Sequence, residues 1–129
     1  MAAVLLLAGC GGPITDDELE RGVRSLESTA AEGRLVALDA VEDRTKVTFT
    51  RVHARNLGED AAHEAEKLSD AEAKPGNAQA KAEAVRLAQD IDSALGDLQV
   101  SPSDRAAARD VEHRLNRLSQ RAARLSERL

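Results

Sequence analysis

The sequence has almost no aromatic side chains. Phe49 is the single phenylalanine among 129 residues, and tryptophan and tyrosine are absent. A hydrophobic core must therefore be built from leucine, valine, isoleucine and alanine, and alanine buries little area per residue. Nucleobases would have almost nothing to stack on, and the formal net charge of −5 repels a polyanion. We therefore expect no nucleic-acid partner.

Cysteine is almost absent as well, since it occurs once, at position 10. A single cysteine cannot build a disulfide framework, and the sequence has no Cys-x-x-Cys-His segment for covalent haem attachment. The glycines lack the spacing of a phosphate-binding loop, and no serine stands in a suggestive pattern with histidine and an acid. We therefore predict a protein that is not an enzyme and holds no dissociable cofactor.

That one cysteine follows a short apolar segment at the N-terminus. Residues 2–8 are too few to span a bilayer, which needs about 20 apolar residues, but they fit the apolar region of a secretory signal, about 7–15 residues long. Small Ala8 and Gly9 leave room for a protease to reach the extended backbone beside Cys10. No lysine or arginine precedes the segment, which indicates a short signal or one truncated at its N-terminus.

The four residues Leu7-Ala8-Gly9-Cys10 resemble the lipobox of bacterial lipoproteins. The resemblance implies a diacylglycerol on the Cys10 thiol, cleavage of the signal peptide just before Cys10, and acylation of the new amino group. It divides the chain into a signal peptide (residues 1–9), a lipidated cysteine with a tether (10–14) and a domain (15–129). It also implies a location on the bacterial cell membrane or outer membrane, facing the extracytoplasmic side.

Three segments of the domain carry signals for the start of a helix. Thr15 and Glu18 form a capping box, in which each residue bonds the other's backbone N–H. Asn77 follows a Pro-Gly turn and is predicted to cap a second helix. Ser101 is predicted to cap the last helix, with Pro102 at its first position.

Apolar residues at spacings of three and four follow these start signals, as in amphipathic helices. The most regular set is Val111, Leu115, Leu118, Ala122, Leu125 and Leu129. Charged residues make up 32% of the chain and alternate in sign, which suits solvated helix faces. With short connections, the pattern predicts an all-α fold, an antiparallel bundle of three to four long amphipathic helices.

Residues 15–74 admit two interpretations. A hairpin broken near Asp43 would give two helices comparable in length to those that follow. Alternatively, one apolar stripe continues through Phe49, which would give a helix of about 40 residues that runs to Asn56 and is ended by Gly58. We favour the break near Asp43.

The motif Asp-x-x-His occurs twice, ending at His63 and His113. Paired carboxylate-x-x-His motifs ligate metals inside some helical bundles, but helix geometry turns both of these histidines away from the apolar stripes. A metal site on the protein surface, formed by Glu59, His63 and Glu66, is the alternative. The protein would then be a periplasmic metal-responsive or stress-responsive binding protein.

Residues 103–129 hold seven arginines and four acids. Five of the arginines follow a heptad-like spacing and line one flank of the last helix: Arg114, Arg117, Arg121, Arg124 and Arg128. We expect this arginine row to pair with Glu83, Asp90 and Asp97, which recur at intervals of seven in the preceding helix. The alternative is a basic edge for anionic lipid headgroups or cell-envelope polymers.

These features favour a lipid-anchored protein of the bacterial cell envelope that binds or scaffolds without catalysis. Cys10 would carry the covalent lipid and hold the domain at the membrane. Charged and apolar helix faces would then dock a protein partner or a second copy of the chain.

Overall fold

The computed structural model describes residues 12–129, and within this range the chain forms four α-helices and no β-strand. The helices are α1 (Asp16–Val41), α2 (Val47–Asp70), α3 (Ala78–Val100) and α4 (Arg105–Glu127). They are joined by short connections and pack as a bundle in which successive helices are antiparallel. The predicted all-α fold is therefore confirmed.

The four helices do not contribute equally to the packing. The most extensive interfaces join α1 to α4 and α2 to α3, and α1 also contacts α3 across the centre, whereas α2 and α4 do not touch. The start of α1, the α2–α3 connection and the end of α4 form what we call the lower end. The α1–α2 and α3–α4 connections form the upper end.

Five of the six apolar residues predicted for the last helix are buried and Leu129 is partly buried, and they join apolar residues of the other helices in one core. Its largest fully buried side chains are aliphatic: Leu19, Val23, Leu26, Leu68, Leu87, Ile91, Leu95, Leu98, Val111, Leu115 and Leu125. Fully buried alanines stand between them, including Ala30, Ala61 and Ala88. Small residues let the helix backbones approach closely, so the bundle has a core without any aromatic ring.

The first connection falls where we favoured it. Helix α1 ends at Val41, Asp43 adopts a left-handed backbone with φ of 54°, and α2 begins at Val47. The long-helix alternative is wrong, because Gly58 lies buried within α2 and its α-carbon faces Asp92 and Leu95.

The break also corrects the apolar stripe drawn through Phe49. Phe49 is 55% exposed, and the residues of this region that point into the bundle are Thr50, Ala54 and Leu57. The turn at residues 42–46 resets the helix phase, so the buried face of α2 starts one position after Phe49 and does not continue the stripe of α1.

The capping box at the start of α1 is present as predicted. The hydroxyl of Thr15 accepts from the Glu18 N–H at 3.2 Å, and the Glu18 carboxylate accepts from the Thr15 N–H at 2.8 Å. The Glu18 carboxylate accepts from both the Thr15 N–H and the Thr15 hydroxyl, the latter at 3.0 Å, and these two bonds lower the pKa of Glu18 below its ordinary value of 4.5, because they favour the ionised carboxylate.

The start of α4 differs from the prediction. Ser101 is the C-cap of α3, where its N–H donates to the Asp97 carbonyl, and Pro102 lies buried in the turn that follows. Asp104 caps α4 instead, accepting from the Ala107 N–H at 3.1 Å. The segment 101–104 is needed to reverse the chain, so α4 begins three residues later than the proline indicated.

Candidate functional site

The predicted lipobox and the lipidation site Cys10 lie outside the described residues, but the chain that leads to them begins at a fixed point. Gly12 and Pro13 are exposed, and Ile14 is the first buried residue of the range 12–129, with 8% exposure. The Ile14 N–H donates to the Glu72 carbonyl at 2.8 Å. The tether is thus attached to the α2–α3 connection before α1 begins.

Asn77 completes this attachment. Its side chain is buried, and its Nδ2 donates to the Ile14 carbonyl at 2.9 Å and to Asp16 Oδ1 at 3.0 Å. Its Oδ1 accepts from the Lys74 N–H at 2.9 Å. Asn77 occupies the N-cap position of α3 as predicted, but its side chain does not cap that helix, because it is used to hold the segment before α1.

The arginine row packs against α3 in the pairs expected from the heptad spacing. Arg114 donates to Asp97 at 2.5 Å and Arg121 donates to Asp90 at 3.2 Å. Arg128 donates to both carboxylate oxygens of Glu83, at 2.9 and 3.0 Å. The predicted interhelical pairing is confirmed for these three arginines.

Arg114 lies at the upper end of the row and also has Asp110 at 3.5 Å, one turn before it in α4. The hydrogen bond to Asp97 raises the pKa of Arg114, and the negative charges of Asp97 and Asp110 add to this effect. The guanidinium therefore stays charged at every physiological pH, and its charge is already balanced by neighbours on two helices.

Arg117 and Arg124, the other two members of the arginine row, are exposed and have no carboxylate within 4.0 Å among residues 12–129. Arg117 lines an open groove of about 310 Å³ between α3 and α4, together with Ser93 and Leu118. Arg124 lines a second groove of about 370 Å³. Because each groove also contains an acid of α3, the surface is less basic than the sequence alone indicates.

The residues proposed for a surface metal site are all exposed on α2. Glu59, His63 and Glu66 follow one another at spacings of four and three, which places them on the outer side of the helix. In the part of the chain that the structure describes, no three histidine, cysteine or acidic side chains converge closely enough to hold a metal ion. His113 is exposed on α4, as helix geometry predicted.

His53 joins α1 to α2 in the upper half of the bundle. Its Nε2 lies 2.9 Å from Glu32 Oε1, and its Nδ1 is buried with no hydrogen-bond partner among residues 12–129. The edge of the Phe49 ring meets the imidazole, with ring centres 5.3 Å apart. The histidine therefore links α1 to α2 through Glu32 and contacts one side of the Phe49 ring.

Beside this contact is an apolar surface that the sequence interpretation missed. Leu35 is 57% exposed, Phe49 55% and Val52 45%, and we call these three residues the upper patch. The spacing of Ala54, Leu57 and Ala61 could have revealed this surface. If the same buried face is extended one turn toward the N-terminus, it includes Thr50 and leaves Phe49 exposed. Large apolar side chains grouped on a surface are typical of an interaction site.

Comparison of the chain with protein-family models, with curated proteins and with solved structures finds no match.

Proposed function

We propose that this protein is a lipid-anchored component of the bacterial cell envelope, held on the extracytoplasmic side through Cys10, which acts by binding or scaffolding without catalysis. The observation that carries the proposal is the lipobox-like segment Leu7-Ala8-Gly9-Cys10, placed just before a bundle domain. No helix within residues 12–129 combines the length and the apolar character needed to cross a bilayer.

The attachment of Ile14 supports this proposal geometrically. Ile14 follows Cys10 by four positions, so the chain between them can span at most about 14 Å. Because Ile14 is hydrogen-bonded to Glu72 and Asn77, a lipid on Cys10 would keep the lower end of the bundle close to the membrane surface. The bundle would then stand away from the membrane, with its upper end outermost.

The position of the exposed side chains supports a binding role. The helices are 23–26 residues long, so the upper end lies about 35 Å from the lower end. The upper patch lies in the outer half of this length, where a macromolecule could reach it without contacting lipid.

The proposal is tested by expressing the full chain in a bacterial host and measuring its intact mass and its partitioning into detergent. We expect a chain that begins at Cys10, carries a diacylglyceryl group and enters the detergent phase. Cys10→Ser should abolish the added mass, the cleavage and the partitioning. Gly12→Ser is the matched control, because nothing lies within 4 Å of a Cβ at Gly12, and it should be processed normally. An unmodified chain that starts at Met1 and stays in the aqueous phase would overturn the proposal.

A further inference from the structure

The upper patch has members on two neighbouring helices, Leu35 on α1 and Phe49 and Val52 on α2. The 2.9 Å contact between Glu32 and His53 places these residues level with each other on α1 and α2. At 1.5 Å per residue, Leu35 lies about 4.5 Å above Glu32, and Phe49 lies about 6 Å above His53. Since α1 and α2 are antiparallel, both steps lead toward the upper end, and Leu35 and Phe49 fall at nearly the same height.

The charges beside the upper patch differ between the two helices. On the last turns of α1 the patch is bordered by Glu32 and Asp39, while Arg34 turns the other way and pairs with Glu112 of α4 at 2.8 Å. On the first turns of α2 the charged side chains are all basic, and no acid occurs between residues 47 and 58. The basic residues are Lys46, Arg51 and Arg55, all exposed. One surface thus has an acidic helix beside a basic helix.

We propose that the upper patch binds a second copy of this chain, about a two-fold axis parallel to the helices. Such an axis places α1 of one copy against α2 of the other at equal heights. Glu32 then lies level with the partner's Arg51 and Arg55, and Asp39 lies level with the partner's Lys46. The apolar side chains of both patches are covered between these charges, and Glu32 and the half-buried Asp39 each lie level with a base of the other copy.

The other two-fold arrangement is disfavoured by charge. An axis perpendicular to the helices would lay α1 on α1 and α2 on α2, so that Glu32 and Asp39 would face acids and Arg51 and Arg55 would face bases. Like charges placed opposite each other in an interface oppose association and select against that arrangement. The surface is therefore complementary to itself in one orientation only.

The chosen axis also suits membrane attachment, and in this respect the inference rests on the proposed function. A two-fold axis parallel to the helices places both lower ends on the same side of the dimer, so that both Ile14 residues, and the tethers before them, point toward one membrane. The perpendicular axis would direct the two tethers to opposite sides. Two anchored copies in one membrane can thus pair without a change in the bundle.

The pairing is tested by sedimentation velocity over a range of concentrations, using the full chain with Cys10→Ser. This background removes both the lipid and any intermolecular disulfide, so failure of the anchor and failure of the dimer are distinguishable. We expect a mass of twice 13.8 kDa. Phe49→Glu should weaken association by about tenfold or more, because each copy would bury an unpaired carboxylate. Its matched control is Val100→Glu, at a residue 81% exposed at the end of α3, which should leave association unchanged.

The orientation is tested by exchanging charges. Glu32→Arg and Arg55→Glu should each weaken association, and the double variant should restore it, because the pair between copies is re-formed with its signs reversed. Circular dichroism should show all variants folded, since the substituted side chains are exposed and the bond between Glu32 and His53 is a single contact outside the core. A wild-type chain that remains single at every concentration overturns the proposal. So does association that Phe49→Glu leaves intact, that Val100→Glu weakens equally, or that the double variant fails to restore.

Discussion

At the scale of single residues, two glycines of α1 face other helices at very short distances. A Cβ added to Gly33 would lie 2.8 Å from Leu95 Cδ2 and 3.1 Å from Leu115 Cδ1, both in the fully buried core. A Cβ added to Gly22 would lie 2.7 Å from Glu64 Oε1, a buried oxygen that has Lys67 Nζ 3.8 Å away and no hydrogen-bond partner in the described part of the chain. The first neighbour cannot move, whereas the second is the end of a flexible side chain.

We therefore expect opposite effects from the same substitution at the two positions. Gly33→Ala should lower the free energy of unfolding by about 1–3 kcal/mol, because the core is overpacked. Gly22→Ala should raise it by up to about 1 kcal/mol, because alanine favours the helix and the Glu64 carboxylate can turn out toward water. Urea denaturation of the full chain measures both.

Gly96→Ala provides the control for helix propensity alone, since nothing lies within 4 Å of its added Cβ. It should raise the free energy of unfolding by about 0.5–1 kcal/mol. A Gly33→Ala variant as stable as Gly96→Ala would contradict the packing described for the centre of the bundle.

Residue-scale interpretation of the sequence succeeded where a signal is purely local. Thr15 and Glu18 cap α1 because both partners lie within one turn. Asn77 and Ser101 carry equally good local signals, but Asn77 is used by Ile14, which is 63 positions away in sequence. Ser101 is used by the end of α3. Whether such a residue caps the following helix depends on contacts with other parts of the fold. A short sequence motif does not contain that information.

At the scale of helices, the arginine row of α4 shows how the spacing of residues in the sequence determines which side chains pair between two helices. Arg114, Arg121 and Arg128 recur every seven residues and meet acids that recur every seven residues on α3. The three pairs form once the two repeats lie in register. They could therefore be predicted from the sequence. Arg117 and Arg124 have the same residue type but lie further around the helix.

The pairing predicts a difference between neighbouring arginines. Arg121→Ala should lower the free energy of unfolding by about 0.2–1 kcal/mol, because it removes a partly exposed ion pair with Asp90, and the effect should shrink in high salt. Arg117→Ala, in the same row but without a paired acid, should change stability by less than about 0.5 kcal/mol. Thermal denaturation at low and high salt measures both.

A double-mutant cycle sharpens this prediction. Arg121→Asp combined with Asp90→Arg should recover most of the stability lost by either substitution, because the pair is re-formed with its charges exchanged. Equal losses from Arg121→Ala and Arg117→Ala at low salt would show that the pair with Asp90 adds nothing.

The phase of α2 marks the limit of helix-scale interpretation. The break near Asp43 could be placed from helix lengths, but the face of α2 that is buried depends on how the turn at residues 42–46 directs the new helix. The direction of the turn depends on the left-handed backbone conformation of Asp43. Glycine is the residue that usually indicates this conformation in a sequence, and position 43 is not a glycine. The upper patch was missed for this reason, since Phe49 was assigned to the stripe of the preceding helix.

At the scale of the whole molecule, four amphipathic helices with short connections leave few arrangements other than an antiparallel bundle, so the fold class could be predicted from periodicity alone. The way the lower end is closed could not be predicted, because it depends on one asparagine that joins the α2–α3 connection to the chain at the start of α1. The charge asymmetry that makes the upper patch complementary to itself could not be predicted either, because it depends on α1 and α2 lying side by side.

The lower end carries its own prediction. Asn77→Ala should lower the free energy of unfolding by about 1–3 kcal/mol, because it leaves the buried Ile14 carbonyl and the Lys74 N–H without partners. It should also speed hydrogen exchange at the Ile14 amide, measured by mass spectrometry after proteolysis.

Asn56→Ala is the matched control, because Asn56 is exposed on α2 and should cost less than about 0.5 kcal/mol. Unchanged exchange at Ile14 in the Asn77→Ala variant would mean that the segment before α1 is held by other contacts.

The hydrogen bonds of Ile14 also determine how the bundle would respond to mechanical tension. A pull on the chain before Ile14 acts first on the bonds to Glu72 and Asn77, and through them on the α2–α3 connection. The first turn of α1 is reached only after these bonds break, so at the outset the force falls on the connection and on α2 and α3, which it joins. A bundle pulled at its N-terminal end would thus resist the force through several helices together. A helix whose first turn is free would instead unwind from that turn.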